Sequence, residues 1–311
     1  MGSVFQQIEI LTSVQMIAYY EVLKRRKIYI EDIVKWYFEE YIAEEFGAKE
    51  FIFNPPSHDT NYIEKCRTLA SEMDGVLKQF RMYIEDGEIN RELFEMSSEH
   101  IDFSLLKSRI RWKYAYLGSE ELQREQFFLF SDQSHLSFTE KHQSNYHCFY
   151  DLIQAEKMCL DDFFEYQRDS IAWLINRGTL AINTDNQITI NKQRVVILKD
   201  LYDHDVICLQ HYASLTEQIH CFLETGDLRC ADTLFSEPEQ DYLNYKLNKS
   251  RFSNGLDLRN KYTHSTYPKN EQIQQSDYIE LLKIMIIIVM KIQDELLLIE
   301  RKKHGKELLF D

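Results

Sequence analysis

The chain is poor in the residues that interrupt regular structure, with 9 glycines and 4 prolines among 311 residues. Such a composition excludes a Gly- and Pro-rich low-complexity chain and disfavours a strand-rich sandwich, which needs a tight turn every few residues. Glu, Leu, Lys and Gln are frequent, and these residues favour helices. A hydrophobic content of 44% is enough for a well-buried core. We therefore predict a mainly α protein.

Metal-binding cysteine pairs and long apolar runs are also absent from the sequence. The six cysteines are Cys66, Cys148, Cys159, Cys208, Cys221 and Cys230, and none forms a Cys-x2-Cys pair. We therefore predict reduced thiols, no metal site and no cofactor. The richest apolar run, Ile284 to Met290, is far shorter than the ~20 residues that cross a bilayer. No signal peptide is evident, and we expect a soluble, cytoplasmic protein without a membrane partner.

Positive charge is scarce over most of the chain, whose formal net charge is −15. This charge excludes a general nucleic-acid coat protein, because most of the surface would repel a polyanion. The exception is the stretch from residue 246 to residue 270, which is net +5. Its basic residues are Lys246, Lys249, Arg251, Arg259, Lys261 and Lys269, against the single acid Asp257. Any RNA site is expected here, and the plainer alternative is a solvated basic helix face.

Residues 1–158 are predicted to form a mainly helical domain of unknown role. Apolar residues recur at helical spacing from Ile8 to Arg25 and from Ile30 to Phe46. Further helices are predicted from Tyr62 to Glu85 and from Ile101 to Leu117, with a short strand at Phe127–Phe130. A polar segment with three histidines, between residues 133 and 147, indicates the junction with the next domain.

Residues 159–192 are predicted to form a small α/β unit. Asp161 begins a helix that runs to Arg177, and Gly178 suits its left-handed end. Two strands follow, at residues 179–182 and 187–191, separated by a polar turn. The pattern resembles the wing half of a winged helix. Because the helix is acidic, it favours a scaffolding or protein-contact role over DNA reading, which leaves a transcription regulator as a third alternative for the whole protein.

Residues 193–311 are predicted to form a helical domain. Its helices are expected at Gln193–Leu223, Leu228–Phe235, Ser236–Leu247 and Asp277–Arg301. The last helix is apolar nearly all round, so it must be enclosed, either by its own bundle or by a second subunit. We therefore expect a homodimer.

The segment before this terminal helix carries an Arg, a polar residue and a His in the order Arg259, Asn260 and His264. It follows the turn Ser253-Asn254-Gly255 and coincides with the basic stretch. The arrangement resembles the HEPN family, whose nuclease members carry Arg-x4-6-His with a polar residue after the Arg. Many HEPN segments have a Gly after the motif His, where this chain has Ser265. The resemblance covers roughly the last 115 residues and implies a C-terminal HEPN-like helical bundle with RNA as its partner.

Arg and His together supply the chemistry that RNA cleavage without metal needs, namely proton transfer and positive charge on the phosphate. His264 is the candidate general acid or base, and Arg259 would hold the phosphate, with Asn260 orienting either group. Five residues along a helix place Arg259 and His264 about 140° apart. Two copies of the chain could bring both side chains to one phosphate, and the resemblance implies such a dimeric composite site. The residues predicted to bind RNA are Lys246, Lys249, Arg251, Lys261 and Tyr262, although Tyr262 is as well explained as a core ring.

The leading hypothesis is a metal-independent endoribonuclease of bacterial antiphage defence or of a toxin–antitoxin system. Its products would carry 2′,3′-cyclic phosphate and 5′-hydroxyl ends. We also expect an inhibitory or regulatory protein partner. The alternative is a non-catalytic HEPN-type subunit that binds a nucleotide, RNA or a protein. The RNA that is cut and the activating trigger cannot be read from the residues.

Overall fold

A computed structural model of the chain describes residues 3–96, 100–142, 146–263 and 267–303. It is mainly helical, with 63% helix and 6% strand in small antiparallel sheets. The predicted fold class, mainly α, is confirmed at this level. Within the described ranges, no helix combines the length and the apolar character that crossing a membrane requires.

In chain order the helices are α1 (Ser3–Arg25), α2 (Ile30–Trp36), α3 (Ile42–Phe46), α4 (Tyr62–Asp86), α5 (Arg91–Met96), α6 (Glu120–Phe130), α7 (Phe149–Ala155), α8 (Glu165–Asn176), α9 (Lys192–His204), α10 (Thr216–Glu224), α11 (Glu237–Leu247), α12 (Leu258–Thr263) and α13 (Glu271–Lys303). The strands are β1 (Tyr114–Leu117), β2 (Leu180–Ile182), β3 (Ile188–Ile190), β4 (Ile207–Cys208) and β5 (Leu228–Ala231). A π-helical turn, Tyr37–Tyr41, joins α2 to α3.

The chain forms two compact units. Among the described residues, the first combines those up to Ile110 with those from Asp232 to Lys303, and the second is Arg111–Ala231. The predicted domain boundaries, near residues 158 and 192, both lie inside the second unit. The reason is tertiary: α4 packs against α12 and α13, which joins the two ends of the chain in one unit.

The first unit is a helical bundle around α13. This helix packs against α4 and α1, and its side chains Tyr278, Leu282 and Ile288 are fully buried. One chain therefore encloses most of the terminal helix, so this helix by itself does not require a second subunit. Three of the four helices predicted for the N-terminal region are confirmed, and the Asn61 side chain caps α4 by accepting from the Glu64 backbone N–H.

The prediction of a helix from Ile101 to Leu117 is wrong. This segment has a 3-10 turn at Phe103–Leu105 and ends in β1, the central strand of a three-stranded antiparallel sheet in the second unit. In that sheet Ala115 pairs with Ile207 on β4 and with Cys230 on β5. Partners more than 90 residues away stabilise this strand, and a local apolar pattern cannot reveal them.

Three further predictions in the second unit are wrong for related reasons. The aromatic run Phe127–Phe130 lies in α6, which the Ser119 side chain caps, and not in a strand. The helix predicted over residues 193–223 stops at Asp205, whose φ of +61° is left-handed, and continues as β4, a 3-10 segment and α10. Residues 228–231, predicted to be helical, form β5.

The predicted hairpin in the second unit is confirmed. Strands β2 and β3 pair antiparallel, with Ala181 opposite Thr189. Gly178 has the expected left-handed conformation at φ +77°, and α8 begins at Glu165, four residues after the predicted start. The likeness of this helix and hairpin to a winged helix stays a prediction.

Helix α1 has an apolar face that the first unit does not cover. Its large side chains that are about half exposed or more are Ile8, Ile10, Leu11, Val14, Tyr19 and Val22. An apolar strip of this length on one helix is typical of an interaction surface.

Candidate functional site

The loop before α12 folds tightly against the end of α11. The Leu256 N–H donates to the Tyr245 carbonyl over 2.8 Å, and a Cβ on Gly255 would lie 2.7 Å from the Asn248 carbonyl oxygen. Only a glycine fits so close to the backbone. The turn predicted from Ser253-Asn254-Gly255 therefore sets the place where α12 begins.

Helix α12 carries Arg259 into the interior of the first unit. Arg259 is 5% exposed, and its Nη2 lies 2.7 Å from Oδ1 of Asp74 on α4. This contact is an ion pair only, since Oδ1 of Asp74 accepts no hydrogen bond from a described residue. Burial lowers the pKa of Arg259 from its ordinary value, and the charge of Asp74 offsets part of that effect. Arginine stays charged under these conditions, and its planar guanidinium offers N–H donors that suit an anionic ligand.

Asp74 also binds His100. The Nδ1 of His100 donates to Oδ2 of Asp74 over 2.8 Å, since an ionised carboxylate can only accept. The His100 side chain is 62% exposed, whereas that of Asp74 is largely buried. One carboxylate thus holds a buried arginine and an accessible imidazole next to each other.

Two cavities adjoin this group of three residues. The larger, about 780 Å³, lies along α4 and is also lined by Arg67, Lys78 and Arg91. The smaller, about 450 Å³, lies beside α11 and is lined by Asn244 and Arg251, among others. Among the residues that the structure describes, only His100 and Arg259 line both cavities. Each volume falls in the ordinary range for a small-ligand pocket.

Lys261 and Tyr262, both predicted to bind RNA, are directed to Asp277 on α13. The Lys261 Nζ lies 2.5 Å from Oδ2 of Asp277, and the Tyr262 hydroxyl donates to the same oxygen over 2.6 Å. Tyr262 is fully buried, and burial raises its pKa, as does its hydrogen bond to Asp277. Tyr262 is therefore a core ring, which is the alternative that its sequence context left open. Both contacts attach α12 to the terminal helix.

Lys246 is also directed inward. It is 4% exposed, and its Nζ lies 2.6 Å from Glu9 of α1 and 2.8 Å from Glu280 of α13. Those carboxylates neutralise its charge, so this position does not favour the predicted role in RNA binding.

The remaining predicted RNA-binding residues lie at the surface or at a cavity. Lys249 is half exposed and lies 4.0 Å from Asp257, and Arg251 pairs with Asp241 at the edge of the smaller cavity. Asn260 lines that cavity and donates to Asp257 over 2.9 Å. Five of the six cations between residues 246 and 270 thus have a carboxylate within 4.0 Å. The net charge of this stretch in sequence therefore overstates the positive charge at its surface.

His264, the predicted acid or base, lies outside the described residues, as does Ser265. Helix α12 is described up to Thr263, which lines the larger cavity. Within the described ranges, no three His, Cys, Asp or Glu side chains meet in a way that could hold a metal ion.

Asp74 and His100 were not identified from the sequence. His100 has no local signal. The sequence around Asp74 does contain a signal. Asp74 lies on the buried face of α4 between Ala70 and Leu77, and a buried acid needs a cationic partner.

Comparison with protein-family models, with curated proteins and with solved structures finds no match to this chain.

Proposed function

We propose that this protein is a metal-independent endoribonuclease of the HEPN type, in which Arg259 binds the phosphate at the cleaved bond and His264 transfers a proton. One observation carries the proposal: Arg259 is a nearly buried arginine between two cavities, and its contact with Asp74 is an ion pair only. Buried polar groups usually have partners, so the N–H groups of the guanidinium suit an anionic ligand.

The two cavities suit an RNA chain because a phosphodiester has one nucleoside on each side. A phosphate at Arg259 would place one nucleoside in each cavity, with Arg251 and Lys78 near the flanking phosphates. The guanidinium would stabilise the charge that develops on the phosphorane oxygens. The proposed products carry 2′,3′-cyclic phosphate and 5′-hydroxyl ends. The proposal includes the C-terminal HEPN-like bundle and a role in antiphage defence or in a toxin–antitoxin pair.

The proposal also includes a homodimer, in which a second copy completes the site. The uncovered apolar face of α1 supports it, because such a strip is costly to leave in water. Leu11→Glu and Val14→Glu should then convert the dimer to a monomer and lower cleavage. Sedimentation measures the first effect and RNA cleavage the second.

Cleavage of single-stranded RNA by the full chain in the presence of a chelator tests the function. Arg259→Lys keeps the charge but loses the fork of donors, and we expect about 10²- to 10³-fold slower cleavage. His264→Ala should lose at least about 10²-fold. Exposed Arg26→Lys and His211→Ala are the matched controls and should leave the rate unchanged. Undiminished cleavage by His264→Ala would overturn the nuclease assignment.

A specific observation favours a second function, a non-catalytic subunit that binds RNA, a nucleotide or a protein. Asp74 already neutralises Arg259, and most cations of the basic stretch are paired. A binding subunit would retain RNA or a nucleotide, show no cleavage, and lose binding in Arg259→Lys. Equilibrium binding measured alongside the cleavage assay separates the two functions.

A further inference from the structure

His100 provides an imidazole at the proposed phosphate site that does not belong to the Arg259–His264 motif. It lines both cavities together with Arg259, although 159 residues separate the two in the sequence. Its ring is more than half exposed, so a ligand can reach it.

Asp74 determines which nitrogen of His100 faces a ligand. Because Nδ1 donates to Asp74 over 2.8 Å, Nε2 is the nitrogen left for a substrate. A carboxylate bonded to one ring nitrogen fixes the tautomer and the orientation of the ring. The same carboxylate lies 2.7 Å from Arg259, so the phosphate ligand and the imidazole are positioned by one side chain.

We propose that His100 is the general acid of RNA cleavage and protonates the leaving 5′-oxygen from Nε2. This inference rests on the proposed function and adds to it the second proton transfer that cleavage without metal requires. Asp74 is a positioning residue, since it acts through His100 and Arg259. The substrate class is single-stranded RNA, with the cleaved phosphate at the junction of the two cavities.

In the proposed cleavage step, one bond to phosphorus forms as another breaks. The 2′-oxygen forms a bond to phosphorus as its proton passes to a second side chain that acts as the general base. The bond from phosphorus to the 5′-oxygen breaks, and that oxygen takes the proton from Nε2 of His100. A 2′,3′-cyclic phosphate and a 5′-hydroxyl result, and solvent restores both side chains to their starting protonation states.

A change of leaving group tests this assignment directly. In an RNA with sulfur in place of the 5′-bridging oxygen at one linkage, the leaving group is a thiolate, which departs without a proton because thiols are far stronger acids than alcohols. The full chain, His100→Gln and His100→Asn are each assayed on the oxygen and the sulfur substrate under single-turnover conditions. Both variants should cleave the oxygen linkage about 10²-fold more slowly, with unchanged RNA affinity, and the sulfur linkage at close to the wild-type rate.

The matched control is His58→Gln. His58 is also a partly exposed histidine bonded to an aspartate, Asp32, at 3.1 Å, and it lines neither cavity. The His58→Gln variant should cleave both substrates at the wild-type rate. Thermal melts of all variants show whether they fold alike.

The outcomes separate this inference from the function on which it rests. If the wild-type chain cleaves both substrates and the His100 variants are equally slow on both, or slow on neither, His100 is not the general acid and the nuclease assignment stands. If the wild-type chain cleaves neither substrate, the nuclease assignment fails and this inference fails with it.

Discussion

Both units bury an arginine beside a carboxylate, but the two arginines are held differently. In the second unit, Arg194 donates to both oxygens of Glu125, at 2.7 and 2.8 Å. Arg177 bridges Glu125 and Asp227, and hydroxyl groups occupy the remaining acceptors. We call Glu125, Arg177, Arg194 and Asp227 the closed cluster.

The first unit holds what we call the open cluster, which consists of Asp74, His100 and Arg259. Here one carboxylate faces one guanidinium without a hydrogen bond, the third member is a largely exposed imidazole, and two cavities adjoin. The closed cluster has two positive and two negative side chains with matched hydrogen bonds, so it stabilises the fold. The open cluster joins a buried ion pair without a hydrogen bond to an exposed imidazole beside two cavities, which is the arrangement expected of a binding or catalytic site.

The largest expected effect is on the closed cluster. Glu125→Gln leaves the buried Arg194 and the partly exposed Arg177 without their shared carboxylate, and we expect a loss of about 3–5 kcal/mol in the free energy of unfolding. Chemical denaturation measures it. Glu121→Gln, an exposed position on the same helix, is the control and should change stability by less than about 1 kcal/mol. A loss as small as that of the control would show that the closed cluster does not stabilise the fold.

An intermediate effect is expected in the open cluster. Asp74→Asn removes the charge opposite Arg259, but the guanidinium and the imidazole keep access to water in the cavities. We expect a loss of about 1–3 kcal/mol in stability, together with a marked loss of the proposed RNA cleavage, because Arg259 and His100 lose their common support. The contrast between the open and the closed cluster is contradicted if Asp74→Asn destabilises the fold as much as Glu125→Gln does and leaves cleavage intact.

The smallest effect concerns Glu9, Lys246, Lys283 and Glu280, a second set of matched charges, which lies in the first unit. Burial alone would raise the pKa of Glu9, but hydrogen bonds from Lys246 and Lys283 lower it to about 2, below its usual 4.5. A lowered folded-state pKa adds stability above pH 4.5, and this contribution is lost as the pH falls towards 2.

Glu9→Gln should therefore lower stability by about 1 kcal/mol at neutral pH, since Glu9 is partly exposed and solvent screens the interaction. The difference from the wild type should shrink between pH 4.5 and 2, as followed by denaturant titrations at several pH values. A difference that grows on acidification would contradict a lowered pKa for Glu9 in the folded state. If the stability difference between Glu9→Gln and the wild type shrinks on acidification, matched charges stabilise both units. The two arginine sites then differ because one cluster is closed and the other open, and not because they lie in different units.

Much of the fold could be predicted because its signals are local. Helices α1 to α4 follow apolar spacing, Ser236 is the N-cap of α11 and so lies where that helix was predicted to start, and Gly178 ends the helix before the hairpin. Wrong predictions fall where the partners are distant. Strand β1 was taken for a helix because β4 and β5, with which it pairs, lie about 90 to 115 residues further on.

The candidate site shows the same division. Arg259 was identified from its motif, whereas Asp74 and His100 come to it from positions 185 and 159 residues earlier in the chain. The charge of the basic stretch was counted correctly from the residues, yet Lys246 and Lys261 are neutralised by carboxylates on other helices. Charge counts along a chain do not include partners that only folding supplies.

The sequence by itself determined the mainly helical class, the start and end of the helices with local caps, and the arginine at the centre of the candidate site, because these depend on nearest neighbours along the chain. The tertiary structure decided which segments share a unit, that the terminal helix is enclosed within one chain, and that Arg259 meets Asp74 and His100 between two cavities. These features depend on contacts between residues far apart in sequence, whose geometry no local pattern encodes.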